Sequence, residues 1–101
     1  VELEMTHYVI VRHLVSYYPH WQEVYEKSVK FAEPYGVKPI YVLRDLEQNN
    51  DVVVICEAEN LENAKKFMES NLLYEVMKKG GVMIKPEITY LSDVNEGEET
   101  Y

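Results

Sequence analysis

Cysteine is nearly absent: Cys56 is the one thiol among 101 residues, so no disulfide can form within the chain. It sits inside an apolar run, residues 52–58, with no basic neighbour in sequence to lower its pKa. The expectation is a buried, inert thiol rather than a nucleophile. Long apolar stretches are missing too. The longest uninterrupted run spans five residues, 52–56, too few for a membrane span or the core of a signal peptide. A cytoplasmic location is expected. Glycine is scarce, and Gly80-Gly81 reads as a helix stop rather than a phosphate-cradling loop. Positive charge is in short supply: ten Lys and Arg stand against 18 Asp and Glu, a net charge of −8. A field of that sign repels phosphate, and Lys65-Lys66 and Lys78-Lys79 are diluted by Glu62, Glu69 and Glu75. Nucleic acid and anionic membrane are therefore not expected as partners. No pair of His, Cys, Asp or Glu has a convincing ligand spacing. His7 and His13 share a strand face but lie about 20 Å apart at the rise of an extended chain. No metal site is expected.

What is present suits one small globular domain, with 47% apolar and 28% charged residues. Residues 1–6 read as an N-terminal extension or cloning remnant, 7–94 as the domain, and 95–101 as an acidic, fraying tail. Residues 7–14 are rich in β-branched and aromatic side chains and predict a first strand. Pro19 suits a first helical turn. Trp21, Val24, Tyr25, Ser28, Phe31, Ala32 and Tyr35 then recur at helical spacing until Pro34 and Gly36. Residues 37–44 and 52–58 predict a hairpin across a polar turn. Asn60 is a candidate cap for a second helix, Ser70 restarts it, and Gly80-Gly81 end it. Residues 82–94 predict a last strand, with Pro86 as a bulge or edge feature. The order β-α-β-β-α-β is the ferredoxin-like arrangement: a four-stranded antiparallel sheet with two helices on one face, an α+β fold.

Two helices cover only one face of such a sheet, yet the strands are apolar on both. Val52, Val54 and Cys56 oppose Val53 and Ile55, and Val9 and Val11 oppose Tyr8, Ile10 and Leu14. An antiparallel sheet with one wet face alternates apolar and polar side chains instead. The second face needs a cover, and a second copy of the chain is the economical one, with two-fold symmetry the default. A homodimer is expected.

Three stretches carry a family resemblance. They are His-Tyr-Val-Ile-Val-Arg-His at 7–13 with Tyr-Tyr-Pro-His-Trp at 17–21, residues 61–70, and residues 77–82 before the last strand. With these the chain resembles the dimeric α/β-barrel superfamily, and more closely its antibiotic-biosynthesis-monooxygenase-like branch. The resemblance covers roughly residues 7–94 and consists mostly of core and cap positions. It implies a face-to-face dimer with a ligand cleft between sheet and helices. Among the activities it implies is cofactor-free, monooxygenase-like oxidation. Haem-degrading members carry a Trp on the second helix and an iron-ligating His one segment later. Phe67 and Met77 stand at the matching places, so haem degradation is not expected, and no cofactor is.

The candidate site follows from strand position. His13 lies on a strand expected at the sheet centre, where it would serve as general base or hold a substrate oxygen. Glu57, on the other central strand, is its candidate carboxylate partner. The plainer reading of His13 is a strand-end residue near water or a hydrogen-bonded structural one. Trp21, Tyr41, Phe67 and Met77 are candidate ligand contacts, and Trp21, Tyr25, Phe31 and Phe67 would together line an aromatic pocket, although helical spacing makes those four core residues first. Arg12 and Arg44 read first as ion-pair residues and second as anion binders. The function expected is binding of a small apolar or aromatic molecule in the sheet–helix cleft by a homodimer. The alternative is a non-catalytic dimeric assembly or regulatory module.

Overall fold

The computed structural model describes residues 6–93. The chain runs β1 His7–Leu14, α1 Tyr18–Ser28, a 3₁₀ stretch Val29–Tyr35, β2 Val37–Arg44, β3 Asp51–Ala58, α2 Leu61–Met68, α3 Asn71–Lys79 and β4 Glu87–Ser92. The four strands form one sheet in the order β2-β3-β1-β4, with every pairing antiparallel. This is the expected βαββαβ sandwich, with β1 and β3 at its centre. The predicted tail from residue 95, like residues 1–5, lies outside the described residues.

The helix caps follow from local chemistry. Asn60 sits in extended geometry, and its side-chain oxygen accepts from the Asn63 N–H at 2.9 Å, which opens α2. Ser70 repeats the device, accepting from the Leu73 N–H at 3.1 Å to open α3. The first helix is shorter than its apolar spacing predicts. It leaves α geometry at Ser28 and continues as 3₁₀ through Pro34. Pro34 has no N–H and its ring crowds the carbonyl four residues back. Ser28 also turns its hydroxyl onto the Val24 carbonyl at 2.6 Å, a bond that loosens helical geometry. Gly36, at φ 71°, makes the left-handed turn into β2.

The last strand is also shorter than expected. Val82 makes only an isolated bridge to Val15, and Met83 donates its N–H to the Leu14 carbonyl at 2.9 Å. The ladder proper starts at Glu87, because Pro86 has no donor to offer it. The strand irregularity falls instead in β2, where the register shifts between Pro39 and Tyr41.

Side chains alternate across the sheet as their parity requires. Val9, Val11, Val52, Val54 and Cys56 face the helices and are buried. They meet Trp21 from α1 and Ala64 and Phe67 from α2. Ile10, Leu43, Val53 and Ile55 face the other way. That face carries half-buried and exposed apolar side chains, with Tyr41 58%, Leu43 47% and Leu91 45% exposed. Among the described residues no helix covers it.

Candidate functional site

Strand parity puts His13 on the helix side of the sheet, directly opposite Val52 on β3. Only 5% of its surface is exposed, and neither ring nitrogen has a hydrogen-bond partner among the described residues. Burial pushes its pKa down to about 4, while the Asp51 charge pulls weakly the other way. The imidazole is therefore neutral at neutral pH, with one N–H donor and one acceptor nitrogen in hand.

His13 lines a cavity of about 90 Å³ between the sheet and the helices. Val11, Val54 and Cys56 form its floor. From α1, Trp21 packs against His13 with ring centroids 5.3 Å apart, and Tyr25 stacks on Trp21 at 4.9 Å. Phe67 of α2 and Met77 of α3 close the far side. The polar groups on this wall are uncharged at neutral pH. Burial pushes the Tyr25 hydroxyl up to about 12 and the Cys56 thiol up to about 11. Among the described residues no Lys, Arg, Asp or Glu lines the space. A cavity this apolar, with one convergent polar group left unpaired, has the character of a small-molecule site.

Of the six candidate residues, the structure gathers His13, Trp21, Phe67 and Met77 around this cavity. It does not bring the other two there. Glu57 pairs opposite Tyr8, on the outer face and five positions along β1 from His13. Side chains on opposite faces of one sheet cannot hydrogen-bond, so the His13–Glu57 pair does not form. Tyr41 pairs opposite Ile55, also on the outer face. His13 is buried, and among the described residues no protein atom hydrogen-bonds either ring nitrogen. Tyr25, expected on an aromatic pocket wall with Trp21 and Phe67, lines the cavity, and Phe31 does not. Leu73 and Val76 line it without having been singled out for it.

The strand arginines divide. Arg12, on the outer face, grips Asp51 with two nitrogens, Nε at 3.1 Å and the terminal nitrogen at 2.8 Å. Arg44 instead lies over the Tyr18 ring, 3.8 Å from its centroid, and donates to the Asn49 carbonyl at 2.9 Å. Among the described residues no three His, Cys, Asp or Glu side chains cluster as metal ligands, and no helix is long and apolar enough to cross a membrane.

No protein-family profile matches the chain, and no curated protein matches it. Solved structures do. A Caulobacter crescentus protein provisionally named an antibiotic biosynthesis monooxygenase superposes with a TM-score of 0.68 at 16% identity, over 91% of this chain and 92% of its own. SnoaB, a cofactor-independent oxygenase from Streptomyces nogalater, gives 0.66 at 10% identity, over 96% of this chain and 100% of its own. A nipsnap family protein of unknown function from Agrobacterium tumefaciens gives 0.63 at 13% identity, over 92% and 91%. At such identities the likeness is one of backbone, and activity does not travel with it. The chain has the ferredoxin-like α+β fold of the antibiotic biosynthesis monooxygenase-like proteins.

Proposed function

We propose that this chain binds a small, uncharged aromatic molecule in the sheet–helix cleft, anchored by His13, and that it does so as a homodimer joined through the outer sheet face. One observation carries the reading. A buried imidazole with two unpaired nitrogens forms part of the wall of an otherwise apolar cavity. Leaving such a group unsatisfied costs about 1–3 kcal/mol. A ligand that donates or accepts one hydrogen bond there recovers part of that cost. A phenol-like hydroxyl fits the requirement. A carboxylate does not, because among the described residues no cation lines the space to meet it.

Cofactor-free oxygenation is the activity that the SnoaB-like backbone brings to this reading. In it His13 would take the proton of the substrate O–H, and the anion left behind would pass its electron to dioxygen. A base held near 4 is weak, so only a substrate with an unusually acidic O–H would serve. The alternative, a dimeric module without a ligand, calls for Phe67, Met68 and Met77 to fill the cleft. Instead they border open space.

The homodimer rests on the outer face. Tyr41, Ile55 and Ile10 form one row across three strands, and Leu43 and Val53 begin the next. Exposed apolar surface of this extent on a small sheet marks an interaction site.

Native mass spectrometry of freshly purified protein tests both parts. The expected species is a dimer carrying a reproducible small mass that is lost on denaturation. A bare dimer would favour the module, and a bare monomer at micromolar concentration would remove the interface.

A further inference from the structure

The third helix stands apart from the other two. α1 buries Trp21 and α2 buries Ala64 and Phe67, but α3 buries nothing. Its apolar face is real: Leu73, Val76 and Met77 fall at helical spacing, and all three line the cavity. They are only half-buried, and Leu72 and Tyr74 beside them are 44% and 61% exposed. Leu73 and Met77 pack against the edge of the core without being buried, so α3 covers the cleft with no fully buried side chain of its own. Both its ends are breaks in the chain. Ser70 at the front is extended, with ψ 150°, and Gly80-Gly81 follow at the back, Gly81 at φ 85°. From Gly81 onward the chain is pinned to the end of β1 and the residues after it, with the Ser16 N–H donating to the Gly81 carbonyl and the Met83 N–H to the Leu14 carbonyl, both at 2.9 Å.

The cavity volume adds a second argument. A dry cavity of about 150 Å³ admits benzene. The cleft offers about 90 Å³, less than one aromatic ring needs. For the cleft to enclose a whole ring beside His13, a wall has to move. The sheet and the buried faces of α1 and α2 are fixed by close packing, where displacement is costly. Of the three helices only α3 has no buried side chain, and few buried contacts are the character of elements that open locally.

We propose that α3, residues Asn71–Lys79, is a lid over the His13 cavity, swinging outward on Ser70 and Gly80-Gly81 to admit the ligand. This rests on the small-molecule reading of the cleft, but the motion can be measured without a ligand.

The test uses amide hydrogen exchange on the intact chain, unliganded. The lid predicts that the amides of α3 exchange together, at least about tenfold faster than those of α1, through a local opening rather than global unfolding. A cross-link at the rear hinge should suppress it. A Cβ built on Gly80 lies 3.6 Å from the Val24 Cβ, within the roughly 3.5–4.5 Å span of a disulfide. In the Val24→Cys, Gly80→Cys protein, oxidation should slow α3 exchange to the rate of α1, and reduction should restore it. Equal protection of α3 and α1 in the unmodified protein overturns the lid, and so does a cross-link that leaves α3 exchange unchanged. If the double variant does not fold, the comparison in the unmodified protein decides. Phenol that fails to bind a protein with a fast-exchanging α3 refutes the ligand reading and leaves the lid. Phenol that binds with α3 fully protected does the reverse.

Discussion

His13 carries two opposed consequences, one for stability and one for binding. Its pKa is lowered from an ordinary 6.5 to about 4 by burial, so the unfolded chain binds the proton first as pH falls. Stability is therefore lost between about pH 6.5 and 4, and is intact above that window. The shift corresponds to about 3 kcal/mol once both forms are protonated. Carboxylates titrate in the same range, so the informative quantity is a difference between proteins. From pH 7 to pH 4, urea denaturation should show the parent losing about 3 kcal/mol more than His13→Leu, by the same linkage. At pH 7 the same substitution removes an unpaired buried polar group and should stabilise by about 1 kcal/mol or more. A gain in stability from deleting a polar residue is expected where that residue is held for binding.

At the scale of single elements, the helices depend on caps that were legible in the residues. Asn60 was identifiable as an N-cap because Asn accepts from the backbone two or three positions on, and it does so here. Asn60→Ala should cost about 1 kcal/mol, seen as a lower thermal midpoint without change of fold. Strand parity was equally legible: the division of β3 into Val52, Val54, Cys56 and Val53, Ile55, Glu57 is what the structure contains. Register between strands was not. A central-strand Glu and a central-strand His make a plausible pair until the ladder places them on opposite faces, and nothing local to either residue reveals that. Tyr41 failed for a related reason: the irregularity after Pro39 in β2 decides its face, and a bulge leaves little trace in a strand's composition. The 3₁₀ ending of the first helix had a visible cause in Pro34, but the apolar spacing continued through it and masked the change.

For the molecule as a whole, the question is which surfaces are finished. The helix side of the sheet is closed except for the cleft, and among the described residues no helix covers the outer side. Arg12 is tied to Asp51 on that outer face, so its charge is compensated where a partner would cover it. A lysine in place of Ile55, at the centre of the apolar row, should turn the expected dimer into a folded monomer by sedimentation velocity. The single chain has only a half-buried side chain to lose there, whereas a dimer would have to bury an unpaired ammonium group. Fold class could be read from the order of elements, and the exposed apolar outer face from the two-sided apolar pattern. The cavity could not, because a cavity is a property of how elements pack and leaves no motif.

Trp21 is the chain's one tryptophan and packs against His13 on the cavity wall, so its fluorescence reports on the cleft directly. The measurement that tests the central claim is a phenol titration of the parent and of His13→Leu, followed by that signal at pH 7. The account predicts saturable binding to the parent and an affinity at least about fivefold weaker in the variant, the loss of one hydrogen bond worth about 1 kcal/mol. No saturable change in the parent, or equal affinity in a folded variant, would contradict it.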